Sequence, residues 1–169
     1  VLTIHKAQPE DAGLLHQMGY TSYRHHFAHL WHEKQEMEAF LEQEYALPVL
    51  DQSLRDAACC WLIAATDKPV GFAKFSFRQP VTPQGPAGTL LHKLYFLPGM
   101  TGKSYGERLF EEVVCHARAR GEAFLWLEVL AANPQARRFY ERQGLRHLHD
   151  TVFGSASQQS TLHILGREI

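Results

Sequence analysis

Two short apolar runs flank the turn-forming Asp67-Lys68-Pro69: Cys59-Cys60-Trp61-Leu62-Ile63-Ala64-Ala65, and the alternating Val70-Gly71-Phe72-Ala73-Lys74-Phe75-Ser76-Phe77. Together they read as an antiparallel hairpin, which commits the chain to a sheet. The segments around it supply more strands. Thr3 to Lys6 fits a short first strand, Thr89 to Leu97 a fourth stopped by Pro98-Gly99, and Phe124 to Val129 a fifth. Leu145 to Phe153 and Thr161 to Glu168 fit two last strands. Gln79 to Gly88, rich in Pro and Gly, reads as a loop.

Helical spacing fills the intervals. Pro9-Glu10-Asp11 opens a helix, since Pro is tolerated and acids are favoured in a first turn, and the pattern carries it to about Trp31. It has two stripes. One holds Leu14, Leu15, Met18, Ser22, His25 and His29, the other Tyr20, Tyr23, Phe27, Leu30 and Trp31. Glu33 to Leu47 is a second helix ended by Pro48, and a short helical stretch continues to Asp56. Gly102 to about Arg120 is a further helix, and Asn133 to Gln143 another, closed by Gly144. The order is strand, helices, three strands, helix, strand, helix, two strands. That predicts one α+β domain over residues 1–169, built on a mixed sheet.

The 17 Lys and Arg and 18 Asp and Glu give a formal net charge of -1, which argues against bulk attraction to nucleic acid or an anionic membrane. No apolar run approaches the roughly 18 residues of a membrane span. Val1-Leu2-Thr3-Ile4-His5-Lys6 lacks the pattern of a secretory leader. Three cysteines, Cys59, Cys60 and Cys115, form no C-x-x-C pair and no even framework, so a reducing cytoplasm is the expected setting.

Two segments carry chemistry. In Leu94-Tyr95-Phe96-Leu97-Pro98-Gly99-Met100-Thr101-Gly102-Lys103-Ser104-Tyr105-Gly106 a strand runs through a glycine-bearing loop into a helix. Backbone N–H groups at a helix start bind phosphate, glycines let a ligand approach, and Lys103 adds charge. The string is not a nucleotide P-loop: only Met100 and Thr101 separate Gly99 from Gly102-Lys103, where that motif needs four residues after its first Gly. In the second segment, Leu127 to Leu145, Asn133-Pro134 is an N-cap followed by Pro at the first helical position, and Tyr140 lies about two turns further on.

Taken together, these segments resemble the acetyl-CoA-binding and adjacent motifs of the GNAT superfamily of N-acetyltransferases. Its loop reads Gln/Arg-x-x-Gly-x-Gly/Ala, and here Thr101, Ser104 and Gly106 fill the three positions, with Gly106 matching. Asn133, Ala136, Phe139, Tyr140 and Gly144 stand at the family's spacing. The resemblance is clearest from about Cys59 to Leu145. The two N-terminal helices, the acidic second helix and the tail after Phe153-Gly154 are similar to the bacterial spermidine/spermine acetyltransferase-like branch, in which the position of Thr161 usually carries Asp.

The resemblance implies a GNAT fold: about seven mostly antiparallel strands flanked by helices and splayed between the fourth and fifth. It implies acetyl-CoA as cosubstrate, no metal, and direct attack of an amine on the thioester. Pyrophosphate would lie at Thr101, Gly102, Lys103, Ser104, Tyr105 and Gly106. The pantetheine arm would lie along Leu94, Tyr95 and Phe96, with a hydrogen bond from Asn133. Tyr140 is the expected general acid for the departing thiolate, and also contacts the cosubstrate. His92 and Glu128 are candidate bases for the amine, and each also reads as a strand-end polar residue.

Glu33, Glu36, Glu38, Glu42 and Glu44 against Lys34 form either a solvated helix face or an acidic wall that attracts a cationic amine. His25, His29 and His32 share helical spacing that could present imidazoles to a metal, yet they lack a partnering acid and read as surface histidines. The expected acceptor is a small primary amine, a polyamine or diamine, with a homodimer left open. The competing reading is a GNAT-like module that senses acyl-CoA without catalysis.

Overall fold

A computed structural model describes residues 1–100 and 104–169. The elements are β1 (Thr3–Lys6), α1 (Ala12–Phe27), α2 (Lys34–Tyr45), α3 (Leu47–Leu54), β2 (Cys59–Ala65), β3 (Pro69–Pro80), β4 (Ala87–Phe96), α4 (Tyr105–Ala119), β5 (Phe124–Leu130), α5 (Pro134–Arg142), β6 (Arg146–Gly154) and β7 (Gln159–Glu168). Among the described residues the strands form one seven-stranded sheet in the order β1-β2-β3-β4-β5-β7-β6. β4 runs parallel to β5, with Thr89 opposite Leu125 and Leu90 opposite Trp126. β1 with β2, β5 with β7, and β6 with β7 are antiparallel. The mixed sheet and the α+β class expected from the sequence are both present.

The chain divides into two compact units, Val1–Phe75 with Lys93–Val113, and Ser76–His92 with Val114–Ile169. In the first, the core is aromatic. Trp61 and Phe72 are buried and stack at 6.1 Å, while Tyr45 meets Phe72 edge-on at 6.1 Å. The Trp61 indole N–H donates to Ser53 Oγ at 2.8 Å, so burying it leaves no donor unsatisfied. Gly19 lets α1 close on α2, because a Cβ there would run into the Tyr45 ring. In the second unit Leu125, Leu127 and Val129 lie buried on one face of β5, with Leu165 of β7 opposite Leu127, and Leu145 and Ile164 are buried as well. Each such side chain, fully buried, contributes about 1.5–3 kcal/mol.

Several local expectations shift. Pro9–Asp11 is a turn of 3-10 helix rather than the start of α1, and Ala28–Leu30 is another after its end. Phe27 at φ -126° breaks the α-helical path, and Trp31 N–H closes a tight turn on Ala28 O. The two stripes of α1 merge into one buried set of Leu15, Met18, Gly19, Ser22, Tyr23 and Phe27, whereas His25 and His29 are exposed. Pro48 does not simply end a helix: Ala46 turns extended, and Pro48 sits in the first turn of α3, where its missing N–H is not needed. β3 and β4 reach into the expected loop as far as Pro80 and from Ala87. The ladder there gains side-chain support, as Arg78 N–H donates to the Glu122 carboxylate and the Trp126 indole to Gln79 O.

Candidate active site

At the end of β4, Leu94 and Tyr95 are half-buried and Phe96 is buried. Leu97 N–H donates to Val70 O at 2.9 Å, and a Cβ on Gly71 would come within 2.8 Å of Tyr95 O, so β3 and β4 lie tightly together here. The Phe96 carbonyl is already engaged, because it accepts from His26 Nε2 at 3.1 Å. Phe27 meets Tyr95 edge-on at 5.7 Å, so the last turn of α1 holds this strand end from two adjacent positions.

Thr101, Gly102 and Lys103 lie outside the described residues. Past them, Ser104 is exposed with φ 63°, and its carbonyl accepts the first intrahelical bond from Arg108 N–H at 3.2 Å. It is therefore the N-cap of α4, held in the left-handed region that glycine occupies at least cost. Tyr105 and Gly106 form the first turn, where helical geometry leaves N–H groups without intrahelical acceptors. Tyr105 packs on Phe96 at 6.2 Å, and Arg108 ties α4 to Leu2 O at 3.2 Å.

The second unit carries the other expected residues. Asn133 caps α5: its Oδ1 accepts from Ala136 N–H at 3.2 Å, which leaves its amide N–H groups as the atoms free to reach a ligand. Tyr140 is half-buried, its ring 5.1 Å from Phe139, and burial pushes its phenol well above the usual tyrosine range. Gly144 closes the helix at φ 91°, and Arg167 caps it further by donating to Gln143 O at 2.9 Å. Glu128 is exposed on β5, yet the protein around its carboxyl raises its pKa, with nearby His149 opposing that rise. His92 is exposed and pairs with Ser76 Oγ at 2.8 Å.

The acidic second helix is less open than its sequence implies. Glu38 forms an ion pair with Arg24, and Glu44 one with Lys93 at 2.6 Å. Lys93 is 7% exposed, and its ammonium also lies 4.9 Å from the Tyr45 ring. Burial alone would push Glu44 up, but the charge and hydrogen bond of Lys93 more than reverse this and hold it below the usual range. Burial pushes Lys93 down, and Glu44 restores part of that loss. The lysine bears the greater desolvation because it lies deeper, and the short contact with Glu44 opposes its loss of charge. The Lys93 pair and the His26 bond went unforeseen. A signal for the first exists: Thr89, Leu91 and Lys93 alternate onto one strand face, and a cation on an apolar face demands a partner.

His25, His29 and His32 are all exposed. Among the described residues, His147, Asp150 and His163 bring their side-chain ligand atoms together. Among the described residues, none of the three cysteines is in a disulfide. No helix among the described residues is long and apolar enough to cross a membrane.

A family model for the acetyltransferase (GNAT) family matches residues 23–145. The chain belongs to the GNAT family. Uncharacterized N-acetyltransferases of Mycobacterium tuberculosis and Mycobacterium bovis are each 30% identical to it over 79 residues, 47% of this chain and 51% of theirs. The chain thus spans about half the length of the curated relatives it matches. Among solved structures, the PaiA N-acetyltransferase of Thermoplasma acidophilum, in complex with coenzyme A, superposes with a TM-score of 0.81 at 20% identity, covering 100% of this chain and 99% of that one. An acetyltransferase of Thermus thermophilus gives 0.72 at 21% identity, with 100% and 97% covered. These neighbours establish the GNAT fold that the two motifs imply.

Proposed function

We propose that the chain is an N-acetyltransferase that moves the acetyl group of acetyl-CoA to a primary amine of a small cationic acceptor, a polyamine or diamine of the spermidine/spermine class. The observation that carries the reading is Tyr140: a phenol kept protonated by burial, on a helix whose residues match the GNAT motif. The family assignment and the coenzyme A in the Thermoplasma acidophilum neighbour support acetyl-CoA as the cosubstrate.

The residues present suit that cosubstrate. The start of α4 offers backbone donors to a pyrophosphate at Ser104, Tyr105 and Gly106, and on this reading Thr101, Gly102 and Lys103 complete the cradle. Leu94, Tyr95 and Phe96 offer peptide groups to the amide-bearing pantetheine arm, with the Phe96 carbonyl oriented by His26. Asn133 adds a donor from its amide. When bound, acetyl-CoA supplies a thioester whose carbonyl carbon forms a bond to the amine nitrogen as its bond to sulfur breaks. Tyr140 then gives its proton to sulfur, and the second proton, shed by the acetylated nitrogen, restores the phenol directly or through water. An ordinary phenol titrates near 10 and a thiol near 8.5, and burial raises both, so the phenol holds its proton until a thiolate appears beside it. An alkyl ammonium titrates near 10.4, so a base must accept one proton before attack. Glu128, with its raised pKa, and His92 are the candidates, directly or through water. Residues 1–169 act as one catalytic domain on this reading, alone or as a homodimer.

The test is thiol release from acetyl-CoA across a panel of amines, with Tyr140→Phe as the probe. That variant keeps the ring and loses the proton. We expect kcat to fall by about 10- to 100-fold, at or below the usual range for general-acid catalysis, with acetyl-CoA affinity near wild type. Because burial raises Tyr140, wild-type kcat/KM should climb with pH as the amine deprotonates, with no falling limb from this phenol below about pH 10. Unchanged kcat in Tyr140→Phe when chemistry limits the rate would remove the assigned role. Acetyl-CoA binding without thiol release for any amine would favour an acyl-CoA sensor.

A further inference from the structure

β6 is the edge strand of the sheet and pairs with β7. Asp150 lies opposite His163, and His147 opposite Leu165. Between those two pairings β6 advances by one residue more than β7, the extra residue being absorbed in a bulge between His147 and His149. On a regular strand, positions three apart face opposite sides of the sheet. The bulge cancels that alternation and brings His147 onto the side of Asp150 and His163.

The result is a compact donor set. His147 Nε2 and His163 Nδ1 each lie 2.7 Å from the same oxygen, Asp150 Oδ1. The two rings meet edge-on with centroids 5.6 Å apart. The three ligand atoms lie within 4.8 Å of one another. The side chains keep 39%, 51% and 20% of their surface exposed for His147, Asp150 and His163, so an ion can arrive from water without the core opening.

We propose that His147, Asp150 and His163 form a binding site for one divalent transition-metal ion of the Zn²⁺ type, clamping β6 to β7. Two imidazole nitrogens and one carboxylate oxygen suit zinc, nickel or copper, whereas magnesium and calcium take sets of oxygen ligands. In the metal-free chain each of these nitrogens donates N–H to Oδ1; on binding that proton leaves to solvent, a neutral ring carries its one proton on the other nitrogen, and the freed lone pair goes to the metal. The 2.7 Å separations from Asp150 Oδ1 open by about 0.6 Å or more, since metal–ligand distances near 2.0–2.2 Å in tetrahedral geometry place neighbouring donors about 3.3–3.6 Å apart. Water completes the coordination. The site lies outside the residues assigned to acetyl transfer, and its test does not depend on that reading.

The experiment is calorimetric titration of the untagged, chelator-treated chain with zinc chloride and with magnesium chloride, paired with thermal unfolding. One equivalent of zinc should bind and raise the melting temperature, and magnesium should do neither. His163→Ala and Asp150→Asn should weaken zinc binding by at least the roughly 10-fold that loss of even an outer hydrogen-bond partner costs. His25→Ala on α1 with His29→Ala in the turn after it should leave it unchanged. Nuclear magnetic resonance of the histidine ring nitrogens gives a readout that needs no variant: zinc should shift His147 and His163 first among the 11 histidines. Zinc affinity equal in wild type, His163→Ala and Asp150→Asn would overturn the proposal. So would an absence of zinc binding, or ring shifts confined to other histidines, and the cluster would then be a hydrogen-bonded surface group only.

Discussion

Ser104 concentrates the tension between local conformation and function. It stands where the GNAT loop prefers glycine, and its φ of 63° shows why that preference exists. A non-glycine residue in the left-handed region costs about 1–2 kcal/mol, while glycine brings its own entropic cost of about 0.5–1 kcal/mol. As an N-cap, serine gives up only a few tenths of a kcal/mol on change to glycine. Ser104→Gly should therefore stabilise the chain by up to about 1 kcal/mol, seen as a rise of about 2–4 °C in melting temperature. Ser104→Val should lower it, because a branched side chain fits this conformation worse. A lower melting temperature for Ser104→Gly would mean that a contact of the serine side chain outweighs the backbone cost. At this scale the sequence identified the position, and only the backbone showed what the position demands.

Among the elements, α2 and β4 are joined by the ion pair of Glu44 and Lys93, the first partly and the second deeply buried. Removing one partner of such a pair strands the other charge away from water, and Glu44→Gln should cost about 3 kcal/mol, or about 6–12 °C. The double change Glu44→Leu with Lys93→Met removes both charges and should recover most of that loss. The pH dependence follows from the Glu44 shift. Its pKa is lower folded than unfolded, so its stabilisation is full above the ordinary value near 4.3 and is lost as pH falls through the folded value. The gap between wild type and Glu44→Gln should thus narrow below about pH 4 in thermal unfolding. A constant gap from pH 3 to pH 7 would show that the variant acts through packing alone. The same pair explains why α2 is misjudged from its sequence, since a run of glutamates reads as free charge until its cationic partners, distant along the chain, are known.

For the molecule as a whole, the net charge of -1 leaves no strong overall field, so attraction of a cationic acceptor must come from a local patch. Arg24 and Lys93 engage two of the five glutamates of the acidic segment, and Glu33 and Glu42 remain exposed. Exposed charges are screened over about 8 Å at physiological ionic strength. On the polyamine reading, raising salt should increase KM for a triamine more than for a neutral amine, and Glu33→Gln with Glu42→Gln should do the same at low salt without changing acetyl-CoA affinity. If polyamines and diamines fail as acceptors while a peptide N-terminus or an amino sugar is acetylated, the acceptor class is wrong and the acetyl-transfer reading stands.

Local signals determined most of what the sequence could determine. The hairpin of β2 and β3, the succession of strands and helices along the chain, the Asn133 cap of α5 and the closing Gly144 all follow from residue spacing and from the conformations of Pro, Gly and Asn. The two motifs, at their separation, pointed to the GNAT family. What tertiary structure decided rests on contacts between residues far apart in the chain. His26 meets Phe96 across 70 positions and Lys93 meets Glu44 across 49, and no periodicity encodes either partner. The bulge in β6 is also tertiary, because a register shift exists only relative to β7. His25, His29 and His32 are exposed, as their reading as surface histidines expects, while His147, Asp150 and His163, which no sequence spacing singles out, converge because β-pairing sets which side chains meet.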